Sequence, residues 1–201
     1  LVIWTSDNGS YNRRMGSNRP LAGWLGSTME GAMRVPCIAR WPGKVPAGAA
    51  SDELCTTMDL LPTFAELAGA ELPKDRTIDG HDIGPILFGR PSAESPYDAF
   101  YYYMMPQLQA VRSGKWKLHL PLEHKWVNFS GRTRPSPARL YDLKADIGET
   151  TNLAEEHPEI VRRLSGLAEQ ARRELGDWKR KGQGQRPAGM VDGPAPRVRK
   201  R

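Results

Sequence analysis

Between Ala99 and Leu143 the chain passes through four short runs of strand character with no helical repeat between them: Ala99 to Met104, Leu108 to Arg112, Lys115 to Leu120 and Arg139 to Leu143. Strands in series without intervening helices exclude a parallel, helix-crossover sheet here and predict an antiparallel meander. Ser113-Gly114 falls where a tight hairpin turn belongs. Such a sheet must cover one apolar face. Pro158 to Trp178 supplies the cover: Ile160, Val161, Leu164, Leu167, Ala168, Ala171 and Leu175 keep a helical period, and Pro158 stands at the preferred helix entry. Residues 96–178 are therefore predicted to form a small antiparallel-sheet subdomain packed by a helix.

The first 95 residues follow another rule. Leu1-Val2-Ile3-Trp4-Thr5 reads as a buried strand already under way, with no initiator Met and no signal peptide before it, so the chain is expected to be a fragment. Ser6 to Thr28, rich in Gly, Ser, Asn and Arg, reads as a long loop, and loops of that length in compact domains are usually functional or mobile. Val35 to Gly43 gives a second short strand ended by a Pro-Gly turn. A helix follows, with Asp59 as its expected cap, Pro62 in its first turn, an apolar stripe of Leu60, Leu61, Phe64, Leu67 and Ala68, and an end near Gly69. Ile83 to Leu87 is expected to add a short helix before Gly89. Residues 1–95 thus read as the end of an α/β sheet.

Net charge is +6, but its location matters more than its size. Eight of the 29 basic residues and one of the 23 acidic ones lie between Lys179 and Arg201, leaving 21 against 22 in residues 1–178. The basicity thus belongs to a tail rich in Gly, Pro and Gln, expected to be disordered, and gives no reason to expect specific nucleic-acid binding. No apolar run approaches the roughly 20 residues of a membrane span. Two cysteines, Cys37 and Cys55, make neither a disulfide framework nor a zinc pattern; one bridge or two buried free thiols both fit.

Thr5-Ser6-Asp7-Asn8-Gly9 directly follows the first strand. In open α/β sheets ligands bind beyond the carboxyl ends of strands, so Asp7 and Asn8 fall at a place suited to a site. A carboxylate beside a neutral amide oxygen offers hard oxygen donors of the type that calcium or magnesium takes. Alone, Asp-Asn-Gly is equally a plain turn.

Further segments follow that one in order. They are Gly26-Ser27-Thr28-Met29-Glu30-Gly31-Ala32-Met33-Arg34-Val35-Pro36, Arg40-Trp41-Pro42-Gly43, Asp59-Leu60-Leu61-Pro62-Thr63 and Ile78-Asp79-Gly80. Then come Ala110-Val111-Arg112, Lys115-Trp116-Lys117-Leu118, Leu140-Tyr141-Asp142-Leu143 and Asp146-Ile147-Gly148-Glu149-Thr150-Thr151-Asn152-Leu153. The series resembles the C-terminal half of the arylsulfatase-like sulfatase family over about residues 1–165. The resemblance implies the C-terminal part of an alkaline-phosphatase-like α/β sandwich with a small antiparallel C-terminal subdomain. It implies sulfuric-ester hydrolysis, with Asp7 and Asn8 as ligands of a calcium ion, in preference to magnesium. The remaining ligands, and a formylglycine nucleophile made from a Cys/Ser-x-Pro-x-Arg motif, would lie in an N-terminal half. Neither Cys37 nor Cys55 sits in such a motif. The chain alone is accordingly expected to be inactive. The expected substrate is a small-molecule or saccharide sulfate ester, and an extracytoplasmic setting is implied.

One departure stands beside the metal pair. Where the family pattern reads Pro-Leu-Arg-Gly-Gly-Lys-Gly-Ser, this chain has Pro20-Leu21-Ala22-Gly23-Trp24-Leu25-Gly26-Ser27, with Leu25 in place of a sulfate-contacting lysine. Arg13, Arg14 or Arg19 in the same loop would have to supply the missing charge. Two other readings share these features: a phosphoester or phosphonate hydrolase of the same superfamily, and a non-catalytic binding protein. Glu30 and Arg34, four residues apart, are expected to pair and fix the loop, and His81, His119, His124 and His157 to be surface or satisfied core residues.

Overall fold

The computed structural model describes residues 1–186 together with Gly193. Two strands open the chain, β1 (Val2–Thr5) and β2 (Cys37–Arg40), paired antiparallel with Thr5 opposite Cys37. Between them lie the long loop and a single helical turn, α1 (Glu30–Met33). Helix α2 (Leu60–Ala68) and the short α3 (Gly84–Leu87) follow.

The largest sheet has the order β3-β4-β5-β8, all antiparallel. Its strands are β3 (Phe100–Met104), β4 (Gln107–Ser113), β5 (Trp116–His119) and β8 (Arg139–Asp142). These are the four expected strands, and the β4–β5 turn closes at Gly114-Lys115, with Ser113 paired to Trp116 and Gly114 at φ +57°. Between β5 and β8 a hairpin the sequence reading did not anticipate, β6 (Leu122–Trp126) and β7 (Thr133–Ser136), leaves the sheet and returns. Its Trp, Lys, His and Arg residues lack clean alternation.

Helix α4 (Pro158–Glu174) covers one face of this sheet. Cross-strand neighbours Val111, Leu118 and Leu140 form an apolar ladder through its middle. With Leu108 and Leu120 they pack on Leu164, Ala168 and Ala171 of the helix, and Leu108, Val111, Leu118, Leu140 and Leu164 are wholly buried. Burying one such leucine contributes about 1.5–3 kcal/mol. Asn152 anchors the helix entry to the sheet: its Oδ1 accepts from the Leu140 amide at 2.9 Å and the Ala154 amide at 3.1 Å.

Three expectations need correction in detail. β1 is not buried, since Val2 and Trp4 are exposed and β2 is its only strand partner among the described residues. Asp59 does not cap α2 with its side chain. Thr56 and Asp59 instead form a capping box on the preceding 3-10 turn, and the buried Asp59 carboxylate accepts from the His81 amide at 2.9 Å. Finally, the chain beyond Trp178 has structure up to Arg186. β9 (Gly176–Asp177) pairs with β10 (Arg180–Lys181), and Arg186 binds the Thr77 carbonyl and Asp79. The rest of the expected tail, Gly193 apart, lies outside the described residues. Among the described residues no helix is long and apolar enough to cross a membrane.

Candidate functional site

β1 ends at Thr5, and Asp7 and Asn8 follow at its carboxyl end. The loop behind them is held by backbone contact so close that only glycine fits. A Cβ on Gly9 would sit 1.8 Å from the Gly31 carbonyl oxygen, and one on Gly31 would sit 2.6 Å from that of Ala22. Three bonds exploit this proximity: the amides of Gly9, Gly31 and Leu25 donate to the carbonyls of Ala32 (3.1 Å), Ala22 (2.7 Å) and Ser10 (3.1 Å). Asn18 closes the loop from inside, accepting from the Ser10 amide at 2.8 Å and donating to the Gly23 carbonyl at 2.9 Å.

These contacts line up Asp7, Asn8, Leu25 and Ala32 along one cleft of about 200 Å³, with Met104 and Phe129 facing them from the sheet and the β6–β7 hairpin. The Asp7 carboxylate is exposed and has, among the described residues, one weak contact, from the Ser6 hydroxyl at 3.5 Å. Asn8 spends its Nδ2 on the Gly9 carbonyl at 2.9 Å, and no donor among the described residues reaches its Oδ1. Two uncommitted hard oxygens on adjacent residues fit a calcium ion as part of a ligand set. They do not complete one, because such an ion takes six to eight oxygens. Among the described residues no group of three or more His, Cys, Asp or Glu gathers around a common point. Leu25 lies in the cleft wall; Arg13, Arg14 and Arg19 are exposed and do not line it. Cys37 is exposed and Cys55 partly buried, both as free thiols.

What holds this loop is a charged cluster on the sheet face opposite α4. Lys117 is fully buried, with its Nζ 2.8 Å from Glu30 Oε1 and 3.1 Å from Glu149 Oε1. Tyr102 donates its hydroxyl to Glu30 Oε1 at 2.8 Å and lies under the Lys117 ammonium, 4.1 Å from ring centre to nitrogen. Glu149 accepts the Glu30 backbone amide at 2.7 Å. Thr28 donates to Gln109 at 3.2 Å. Glu30 therefore fixes the loop as expected, but through β5 and not through Arg34; the helix at Glu30 is one turn long, and Arg34 meets Glu30 only by its backbone amide.

The electrostatics follow from burial. His119 is buried, which pushes its pKa down to about 4 against the pull of Glu149. It is neutral at pH 7, and because a carboxylate can only accept, its Nε2 carries the proton shared with Glu149 Oε1 at 2.7 Å. That tautomer leaves Nδ1 a bare acceptor, and no partner reaches it among the described residues. Burial raises the Glu149 pKa, yet His119, Lys117 and the Glu30 amide outweigh it and hold the carboxyl below its ordinary value. Glu149 reaches inward from a left-handed backbone, φ +53°, a conformation costing about 1–2 kcal/mol for a residue with a side chain. The cluster went unread in the sequence although a signal was there: Lys117 and His119, two apart on a strand, must share a face with the cross-strand Arg112 and Tyr141.

The chain is also similar to known proteins. The model of the family described as N-sulphoglucosamine sulphohydrolase, C-terminal, matches residues 25–174. Arylsulfatase A of Homo sapiens is 38% identical over 192 residues, 83% of this chain and 36% of that protein. N-acetylgalactosamine-6-sulfatase of Canis lupus familiaris is 37% identical over 165 residues, 80% and 30%. Among solved structures, the PsFucS1 sulfatase from Pseudoalteromonas sp. superposes with a TM-score of 0.69 over 84% of this chain and 36% of its own; at 24% identity it speaks to the fold. The chain spans about a third of the length of the curated relatives it matches.

Proposed function

This chain belongs to the sulfatase family, matching its C-terminal region, and from that premise we propose that the whole protein hydrolyses sulfate esters, with Asp7 and Asn8 holding part of a calcium site. The observation that carries the reading is the cleft itself: Asp7 and Asn8, at the carboxyl end of β1, present uncommitted oxygens into a hollow walled by the loop at Leu25. Bound there, a hard divalent cation supplies Lewis-acid polarisation of sulfate oxygens. Asp7 contributes charge and Asn8 a neutral oxygen. The Gly9–Ala32 and Gly31–Ala22 bonds keep both in place. The nucleophile, by family resemblance a formylglycine, belongs to the rest of the protein, so this chain alone turns nothing over. An extracytoplasmic setting and a small-molecule or saccharide sulfate ester complete the proposal.

The test is hydrolysis of an aryl sulfate by the whole protein with and without a calcium chelator. Asp7→Ala should lower turnover at least about 100-fold, more than the loss of an outer-shell partner brings. Full activity in Asp7→Ala would remove this pair from the metal site.

Leu25 favours a second reading, a sulfatase-like protein that binds without turnover. A leucine in the cleft wall cannot donate to a sulfate oxygen, and no arginine of the loop takes its place there. Leu25→Lys should raise aryl-sulfate turnover if this residue is what impairs the site. Equal rates for wild type and variant would remove that impairment.

A further inference from the structure

Three cations converge on the β6–β7 hairpin and the neighbouring edge of the sheet without a carboxylate of their own. Lys125 stands directly opposite Arg134 in the β6–β7 register. Like charges facing across two strands are destabilising, so the pairing needs another reason to exist. Arg139, which begins β8 after the hairpin, bonds the Ser136 hydroxyl through an Nη at 3.4 Å, while its buried Nε has no partner among the described residues. No carboxylate among the described residues lies within ion-pair distance of Lys125, Arg134 or Arg139. Glu149, a carboxylate that attracts Lys125, is already engaged by Lys117 and His119. Partial burial, then Arg139, Arg134 and Lys117, together push the Lys125 pKa down to about 8.

The hairpin also leads to the cleft. Its tip packs on the loop beside Leu25, where a Cβ on Gly26 would lie 3.0 Å from the Asn128 Cβ and 3.2 Å from the Phe129 ring. Phe129 lines the cleft with Asp7 and Asn8. Lys125 stands four residues back along the chain, at most about 13 Å at strand rise. Sheet side chains fix the stem between them: Gln107 and Gln109 donate to the carbonyls of His124 (2.9 Å) and Trp126 (3.0 Å), and Gln107 accepts the Trp126 amide at 2.9 Å. Lys125 thus sits on a braced arm.

We propose that Lys125, Arg134 and Arg139 form an anion subsite that takes a second negative group, a carboxylate or a further sulfate, of an oligosaccharide whose sulfate ester lies in the Asp7–Asn8 cleft. The proposal rests on the functional reading above and narrows it to polyanionic saccharides, because cations with no carboxylate partner among the described residues stand on the hairpin whose tip lines the cleft. An anion between Lys125 and Arg134 turns their repulsion into two charge-assisted contacts and gives Arg139 Nε an acceptor.

The experiment uses the whole protein, wild type against the Lys125→Gln/Arg134→Gln double variant, with thermal melting as the folding control and Arg134→Lys as the conservative variant. Equilibrium binding of a fluorescein-labelled oligosaccharide carrying uronate carboxylates and sulfates is measured beside turnover of that oligosaccharide and of an uncharged aryl alcohol's sulfate. The double variant should bind the oligosaccharide about 10- to 100-fold more weakly. It should lose more kcat/KM on the oligosaccharide than on the aryl sulfate, with a shallower salt dependence, and Arg134→Lys should keep most of the affinity. Carboxyl-reduced and partly desulfated probes then tell which anion is held. Equal losses on both substrates, unchanged affinity, or a wild type that does not bind the probe would overturn the subsite. A wild type that binds the probe through these residues but hydrolyses neither ester would leave the subsite standing and remove the sulfatase reading.

Discussion

The two faces of the β3-β4-β5-β8 sheet are built from the same strands and stabilise different things. One carries the Val111–Leu118–Leu140 ladder against α4, and any residue of similar shape and polarity could serve there. The other carries Arg112, Lys117, His119 and Tyr102 against a single helical turn and the Glu149 loop. Dispersion and burial tolerate small rearrangements, whereas a buried ammonium between two carboxylates tolerates few. The apolar face makes the subdomain; the charged face fixes the position of the loop that ends in the candidate site. Such a cluster is no great source of net stability, since desolvation offsets much of the attraction. Its effect is to favour one loop arrangement.

The comparison breaks most sharply at Lys117. Lys117→Met removes the buried cation that Glu30 and Glu149 share, leaving Glu30 only the longer contact with Arg112, and should cost about 3–5 kcal/mol. Leu118→Ala, one residue away on the other face, should cost about 2–5 kcal/mol. Amide exchange separates them: Lys117→Met should deprotect Glu30 to Arg34 preferentially, and Leu118→Ala should deprotect β4, β5 and α4 together. Matching exchange patterns would erase the distinction between the faces.

Acid should loosen the charged face first. His119 binds its proton more weakly folded than unfolded, so its contribution is complete above about pH 6.5 and lost as pH falls toward about 4. By linkage this is on the order of 3 kcal/mol. Glu149, held below its ordinary range, acts in the same direction at lower pH. His119→Gln keeps a donor toward Glu149 and removes the titration, so the pH slope of loop protection between 6.5 and 4 should flatten. An unchanged slope would place the titration elsewhere.

A smaller effect tests the loop's own packing. Gly9→Ala places a methyl into the Gly31 carbonyl and should cost about 1–3 kcal/mol through backbone displacement. The Gly31 amide should lose protection while the α4 amides keep theirs. A neutral Gly9→Ala would show that the Asp7–Asn8 turn is not pinned by this contact.

Period and punctuation made much of this molecule legible in advance. Alternation along Lys115 to Leu120 and the helical repeat from Ile160 to Ala171 gave the sheet and its cover, because both patterns are local and the residues of each face repeat within one element. The β6–β7 hairpin escaped because its strands lack that alternation, and its stem is braced by Gln107 and Gln109 from another strand. The ordered motifs from Thr5 to Leu153 carried the family, and Asp7, Asn8 and Leu25 were identified with it.

The sequence by itself thus determined the four-stranded sheet and its covering helix, the family and the residues worth watching. Tertiary structure alone decided that Glu30 meets Lys117 across 87 positions, that Glu149 reaches back 119 positions to the same turn, and that Lys125 and Arg139 share one corner. A periodic pattern records which side of an element is buried. The partner on that side is chosen by chain topology, and no local rule encodes a contact made so far along the chain.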